Sequence, residues 1–173
     1  MIPIKSSKPR PLLWNAMKSP IGPIFIAWEE DELVEVRFIQ GNLVKQMLSD
    51  LINDYYEPVH SISGEPIRQL NEYFKGSRKK FTCKLKTSGT PFRKKVWKEM
   101  LKIPYGITRS YGEIARRIGK PGAARGVGSA ARFNSISIFI PCHRVIGSDG
   151  NLVGYRGGLE GKRWLLEHES RFR

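Results

Sequence analysis

Residues 110–132, SYGEIARRIGKPGAARGVGSAAR, decide the fold of the C-terminal half of the chain. Ser110 and Glu113 form an S-x-x-E capping box, which marks a helix start because each side chain satisfies a free backbone amide of the first turn. After the break Lys120-Pro121-Gly122, a second helix is expected over residues 123–132. Two helices joined by a tight turn are typical of helix-turn-helix modules.

The second helix of this pair carries unusually small side chains, with Arg125 as the long basic residue near its start. Small residues let a backbone come very close to another surface. The sequence alone leaves two interpretations open: contact with a DNA sugar-phosphate wall, or close packing against another helix.

Downstream, Pro141-Cys142-His143-Arg144-Val145 holds a thiol and an imidazole side by side. The apolar run of residues 136–140 before it predicts a buried strand. A thiol is a strong nucleophile only as thiolate, and His143 and Arg144 are candidates for the base or the positive field that would ionise it. Because adjacent side chains of an extended segment point to opposite faces, we expect Cys142 and His143 to communicate through a water or a turn. Alternatively, Cys142 is a small buried hydrophobe and His143 a satisfied polar neighbour.

The N-terminal half has a pattern of short strands and helices. Residues 21–28 and 33–38 predict a hairpin with a charged turn, residues 43–52 follow helical spacing after Gly41-Asn42, and a second helix is expected from Pro66 to a stop at Gly76. Another helix is expected from Pro91 to Ile103. The predicted fold is an α/β N-terminal domain, with a small antiparallel sheet plus helices, followed by a mostly α C-terminal domain with a helix-turn-helix.

An exposed connection is expected between residues 76 and 90, which divides the 173 residues into domains 1–85 and 86–173. Charge follows the same division. Residues 1–74 contain 7 Lys and Arg against 10 Asp and Glu, a net charge of −3, whereas residues 75–173 contain 23 against 6, a net charge of +17. A polyanion is the natural partner of such a C-terminal surface.

Membrane insertion and secretion are not expected, because the chain has no run of 18 apolar residues and its start lacks the apolar core of a signal peptide. Two cysteines, Cys83 and Cys142, fit a reducing compartment, and Cys83 is interpreted as an incidental thiol. We therefore expect a cytoplasmic, intracellular protein, nucleoid-associated if prokaryotic. The three histidines lack a zinc-like spacing, so no metal is expected.

Taken together, these features resemble the O6-alkylguanine-DNA alkyltransferases. The resemblance covers residues 90–169, and its motifs stand at the family's spacing: Asn134, Pro141-Cys142-His143-Arg144-Val145, the stretch of residues 154–158, and Glu169 near the end of the last helix. It implies direct, stoichiometric and irreversible transfer of an alkyl group from O6-alkylguanine in DNA, with O4-alkylthymine as a second substrate, to Cys142.

The resemblance also implies roles for single residues. His143 is the water-mediated base, Glu169 stabilises its imidazolium, Asn134 organises the turn that presents Cys142, and Tyr111 assists base extrusion and protonates the departing guanine. The expected DNA-binding residues are Arg125, Ala124, Gly128, Ser129 and Arg132, with Arg125 entering the base stack from the minor groove. The expected substrate pocket consists of Tyr111, Val153, Gly154, Tyr155, Arg156 and Gly157.

Two departures from the family pattern stand out. Arg156 replaces a small residue after the tyrosine, which changes the rim of the pocket, and Ser135 replaces a proline, which predicts a looser turn. No cofactor is expected, because the thioether formed on Cys142 has no good leaving group. The expected partner is double-stranded DNA that contains O6-alkylguanine, bound by a monomer, with cooperative assembly on DNA left open.

Two other classes of function remain as alternatives. A non-catalytic helix-turn-helix DNA-binding protein would explain the charge but leave Cys142 idle. A cysteine hydrolase would need an oxyanion site, and its histidine usually lies far from the cysteine in sequence.

Overall fold

The computed structural model describes residues 10–39, 44–51 and 56–173. The strands are β1 (Arg10–Met17), β2 (Ile24–Glu29), β3 (Glu32–Phe38), β4 (Tyr56–His60), β5 (Lys84–Leu85), β6 (Arg109–Ser110) and β7 (Val145–Ile146). The helices are α1 (Val44–Leu51), α2 (Glu65–Phe74), α3 (Pro91–Met100), α4 (Tyr111–Arg117), α5 (Ala124–Arg132) and α6 (Gly158–Arg171). The predicted order, an α/β part followed by a mostly helical part, is confirmed.

Five strands form the N-terminal sheet in the order β4-β1-β2-β3-β5. Strands β2 and β3 form the expected antiparallel hairpin, and β1 pairs antiparallel with β2. Strands β4 and β5 add to the edges in parallel, so the sheet is mixed. Strands β1 and β4 were not predicted from the sequence. Pro58 weakens the strand pattern of β4, and the fold tolerates it because an edge strand needs hydrogen bonds on one side only.

Both faces of β2 are buried, which follows from the alternation of its side chains. Phe25 and Ala27 pack with Met47 of α1 in a small cluster. Ile24 and Ile26 point to the other face and join a core that also contains residues of α2, α3, α4, α5 and α6. The sheet and the C-terminal helices therefore share one hydrophobic core, and the division at residue 85 stays a prediction.

The helix-turn-helix starts as predicted. The Ser110 hydroxyl accepts a hydrogen bond from the Glu113 N–H, and the Glu113 carboxylate accepts one from the Ser110 N–H. Gly119, with a φ of 73°, follows the end of α4. The indole N–H of Trp97 donates to the carbonyl of Ala130 at 2.8 Å and fixes α5 against α3.

Residues 136–140 are buried as predicted, but they do not form a strand. Only Ile136 pairs with the sheet, through a bridge to Val36 of β3, and the chain then turns at Ile138, whose φ is 73°. The strand prediction was wrong because a mostly apolar run indicates burial and not backbone conformation.

The predicted helix start at Leu43 and its end at Ile52 lie outside the described residues, as does the breaker Gly41-Asn42. Within the described ranges, none of the helices is both long enough and apolar enough to cross a lipid bilayer.

Candidate active site and nucleic-acid interface

Cys142 opens a short 3₁₀ turn, Cys142–Arg144, at the end of the buried 136–140 segment. Its backbone N–H donates to the carbonyl of Ile140 at 2.8 Å, and 5 % of its surface is exposed. The sequence-based picture of Cys142 and His143 on an extended segment is therefore wrong. The turn lets the two side chains take separate partners.

Asn134 holds this turn in place through three hydrogen bonds. Its side-chain amide donates to the carbonyl of Ile140 at 2.9 Å and to the sulfur of Cys142 at 3.1 Å. Its carbonyl accepts from the N–H of Ile136 at 3.0 Å. A single buried amide thus connects both ends of the loop to the sulfur, and the organising role expected for Asn134 stays a prediction.

His143 is fully buried, and its Nε2 lies 2.8 Å from Oε1 of Glu169. Burial lowers the pKa of His143, although the Glu169 carboxylate opposes this, so the imidazole is neutral at neutral pH. An ionised carboxylate only accepts hydrogen bonds, so Nε2 carries the proton and Nδ1 keeps a lone pair. Nδ1 is buried and has no hydrogen-bond partner in the described part of the chain. The imidazole is therefore in the protonation state that a general base requires.

Glu169 collects donors from both halves of the molecule. Its carboxylate accepts from the hydroxyl of Tyr73 at 2.8 Å, from the N–H of Gly106 at 3.0 Å and, in bidentate geometry, from Arg144 at 2.9 Å on each oxygen. Burial raises the pKa of Glu169, but the hydrogen bonds from His143 and Arg144 and the positive charge of Arg144 outweigh it and hold that pKa below its usual range.

These contacts correct the interpretation of Arg144. Its guanidinium binds Glu169 and the carbonyl of Ile103, at 2.7 Å, so it is engaged away from Cys142. Burial raises the pKa of the Cys142 thiol, and the Asn134 hydrogen bond and the charges of Lys162 and Arg156 work against that rise. The resting thiol is consequently protonated, and the cations that favour its thiolate are Lys162 and Arg156.

Lys162 is the functional candidate that the sequence analysis missed. It is fully buried on α6, and its ammonium donates to the carbonyls of Val145 at 2.6 Å and Val153 at 2.9 Å. Burial lowers its pKa to about 8. Position 162 within a helix gives no local signal, because its importance depends on carbonyls that lie 17 and 9 residues away. Cys83, by contrast, is half-buried with a pKa raised to about 11 by burial, which fits an unreactive thiol.

An open groove of about 1230 Å³ leads to Cys142. Most of the expected pocket residues line it. They are Tyr111, Val153, Gly154, Tyr155 and Arg156. The Tyr111 hydroxyl donates to the carbonyl of Val153 at 3.0 Å, and burial raises the pKa of Tyr111, which keeps it protonated as a donor.

Gly157 is not among the residues that line the groove, and its place in the substrate pocket stays a prediction. A Cβ at this position would lie 2.7 Å from the ring of Phe38, so the glycine is required for packing against β3. The ring of Phe38 also meets Tyr155 edge-on, with centroids 5.5 Å apart. The N-terminal sheet therefore supports the wall of the groove.

The packing interpretation of the small residues of α5 is confirmed for one face of the helix, and contact of the other face with DNA stays a prediction. Val127 and Ala130 are buried against the other helices, and a Cβ on Gly126 would lie 3.2 Å from Phe92 of α3. The other face carries the expected DNA-binding residues Ala124, Arg125, Gly128 and Arg132, which all line the groove. Ser129 is exposed on the same helix but does not line it.

Two family models match the chain. The one described as 6-O-methylguanine DNA methyltransferase, ribonuclease-like domain, matches residues 12–87, and the one described as 6-O-methylguanine DNA methyltransferase, DNA binding domain, matches residues 91–171. The methylated-DNA--protein-cysteine methyltransferase of Methanosarcina barkeri is 46% identical over 158 residues, which cover 91% of this chain and 97% of that protein. The protein of the same name from Mycobacterium leprae is 44% identical over 155 residues, 90% of each chain.

Solved structures agree in fold. The crystal structure of a Mycobacterium tuberculosis O6-methylguanine methyltransferase superposes with a TM-score of 0.83 at 42% identity and covers 94% of each chain. The structure of Mycobacterium tuberculosis OGT in complex with DNA gives a TM-score of 0.81 at 42% identity, covering 92% of this chain and 94% of that one.

Proposed function

The chain belongs to the 6-O-methylguanine DNA methyltransferase family, and on this premise we propose that it repairs DNA by moving an alkyl group from O6 of guanine to the sulfur of Cys142. One observation carries the assignment to this residue. Cys142 forms part of the groove surface beside a helix of small residues, and the residue after it is a neutral histidine paired with a carboxylate.

The nucleophile forms by proton transfer to His143. The burial that keeps the Cys142 thiol protonated at rest also keeps His143 neutral. A water between the sulfur and Nδ1 would carry the proton, and the Glu169 carboxylate would stabilise the resulting imidazolium through Nε2. The thiolate would keep the hydrogen bond from Asn134 and the positive field of Lys162.

The transfer step is a displacement at the alkyl carbon. The thiolate sulfur forms a bond to that carbon while the bond from carbon to O6 breaks, and the electron pair of that bond stays on the guanine. Tyr111, which burial keeps protonated, supplies the proton that neutralises the departing base. The thioether has no good leaving group, so each molecule acts once.

Access to the thiol requires base extrusion. O6 of a paired guanine lies inside the stack, whereas only 5 % of the Cys142 surface is exposed in the groove. The damaged nucleotide must therefore rotate into the groove, with Arg125 of α5 filling the space that it leaves. O4 of thymine can reach the sulfur in the same way, which makes O4-alkylthymine a second substrate.

The test is a mass measurement. A duplex oligonucleotide with one O6-methylguanine is incubated with the protein, and the intact protein and its Cys142 peptide are weighed. We expect one added methyl group on Cys142, absent in Cys142→Ser and present in the Cys83→Ser control.

The alternatives give other results. A DNA-binding protein with an idle Cys142 would bind the duplex with no gain in mass, and a hydrolase would cleave an acyl substrate repeatedly. Either result would overturn the proposal.

A further inference from the structure

Phe133 is a large apolar side chain exposed at the mouth of the groove. It follows α5 directly, 51% of its surface is exposed, and it lines the same groove as Cys142, Ala131 and Arg132. A single exposed aromatic residue is common on protein surfaces and needs no explanation by itself. Its neighbour Arg93 makes this one different.

The Arg93 guanidinium lies over the Phe133 ring, with its central carbon 3.6 Å from the ring centroid. This stacking uses the flat face of the guanidinium and leaves its N–H donors in the plane. Among the described residues, the guanidinium of Arg93 donates no hydrogen bond to any protein acceptor. The pair thus presents an ordered ring and a set of unused donors side by side.

The pair is also held rigidly. Arg93 lies in the first turn of α3, where its N–H caps onto the Thr90 hydroxyl at 3.3 Å. Trp97, one turn later, donates to Ala130 in the last turn of α5. The helices that carry the two members are therefore joined directly below them, so little conformational freedom is lost when a ligand binds.

We propose that Arg93 and Phe133 form a contact platform for the DNA backbone beside the extruded nucleotide, with the ring against a deoxyribose and the guanidinium on the adjoining phosphate. The platform continues the surface of α5 that carries Arg125 and Arg132, and its charge complements a phosphate. The inference rests on the proposed function only in taking DNA as the ligand.

The two members predict different signatures. Each phosphate contact contributes about 0.9 to the slope of log affinity against log salt. Arg93→Gln should therefore weaken binding to an unmodified duplex and make that slope shallower by about 0.9 between about 50 and 200 mM salt. Phe133→Ala should weaken binding about three- to tenfold with the slope unchanged, because the ring carries no charge.

Conservative and control variants make the test specific. Phe133→Tyr keeps the ring and should restore affinity, and Arg93→Lys keeps the charge but loses the planar fork, so it should restore the slope but only part of the affinity. Lys45→Gln removes an exposed cation from α1, and Ile62→Ala removes an exposed apolar side chain from the N-terminal half. Both controls should bind DNA as the wild type does.

A second measurement separates the platform from the alkyl pocket. The rate of alkylation of Cys142 is compared between the duplex and free O6-benzylguanine, which has no sugar or phosphate. The fall in rate for Phe133→Ala should be far larger on the duplex. If the alkylation rate of Phe133→Ala falls equally with both substrates, Phe133 lines the alkyl pocket and does not contact the DNA backbone. If Phe133→Ala and Arg93→Gln both bind DNA with unchanged affinity, the two residues form no contact platform. Either result overturns the proposal. If the wild type alkylates Cys142 with neither substrate, the proposed function fails, while the salt slopes still decide on the platform.

Discussion

Lys162 is a buried cation, and two backbone carbonyls, those of Val145 and Val153, hold its ammonium group. Its pKa of about 8 means that the folded protein releases this proton well below the unfolded value of about 10.4. The charged form is therefore disfavoured by folding. A lysine in this position nevertheless suits a site that must stabilise an anionic sulfur, because the positive charge of Lys162 lowers the pKa of Cys142.

This shift predicts a pH dependence of stability. Between pH 8 and about 10.4 the unfolded chain still holds the Lys162 proton, whereas the folded protein has released it. Because the unfolded state then binds more protons, the free energy of unfolding increases as the pH rises through this window. The wild type should gain up to about 1.4 kcal/mol per pH unit relative to Lys162→Met in this window. Urea unfolding of both proteins at several pH values measures the difference.

Subtracting the variant removes the titration of groups far from Lys162, and Cys142→Ser introduced into both proteins removes the one thiol whose pKa the Lys162 charge lowers. A difference that stays constant from pH 8 to 10 would show that Lys162 titrates at its ordinary pKa and carries no burial penalty.

At the scale of single elements, the loop of residues 134–142 has little regular secondary structure and is constrained by the hydrogen bonds of Asn134. Ile138 is fully buried and β-branched, yet its φ of 73° lies in the left-handed region. A side chain with a Cβ is disfavoured there by about 1–2 kcal/mol. The burial of the isoleucine and the hydrogen bonds of Asn134 hold it in place.

Substitutions at Ile138 should therefore reverse the usual order of alanine and glycine. Ile138→Ala loses about 2–5 kcal/mol through the cavity that it leaves. Ile138→Gly leaves a similar cavity but relieves the backbone, so it should be at least as stable as Ile138→Ala. Urea unfolding at neutral pH gives the ranking.

Ile140 provides the matched control, because it is 1% exposed in the same loop and does not have a positive φ. Alanine should be the more stable of the two replacements there. If Ile138→Ala is also clearly more stable than Ile138→Gly, the backbone at position 138 is not strained.

Elements that depend on residues close in sequence could be predicted, and elements that depend on residues far away along the chain could not. The capping box of α4 involves residues three positions apart, and both of its hydrogen bonds form. The loop of residues 136–140 turns because of Asn134 and β3, so its apolar composition misled the strand prediction. Gly157 is needed because of Phe38, a residue in the other half of the chain.

At the scale of the whole molecule, the two halves are tied together next to the reactive sulfur. The N–H of Val36 in β3 donates to the carbonyl of Ser135 at 2.8 Å, and the N–H of Ser137 donates to the carbonyl of Val36 at 3.0 Å. Tyr73 of α2 reaches Glu169 on α6. These contacts lie on a continuous hydrophobic core, so neither half can unfold without exposing the core of the other.

The protein should accordingly unfold as one cooperative unit. Calorimetry should give a single transition, with a calorimetric enthalpy equal to the van't Hoff enthalpy. Tyr73→Phe removes the hydroxyl that joins the halves through Glu169 and should lower the midpoint without splitting the transition. Two resolved transitions in the wild type would mean that the halves are independently stable.

The burial of Cys142 has a consequence for the lifetime of the protein. A molecule that is consumed by its first reaction has to stay intact during long periods without damage, in the presence of peroxides and other small electrophiles. With 5 % of its surface exposed and its pKa raised, the sulfur is kept in the form that such oxidants attack slowly. The burial that keeps the Cys142 thiol protonated therefore also protects each protein molecule from oxidation until it meets a damaged base.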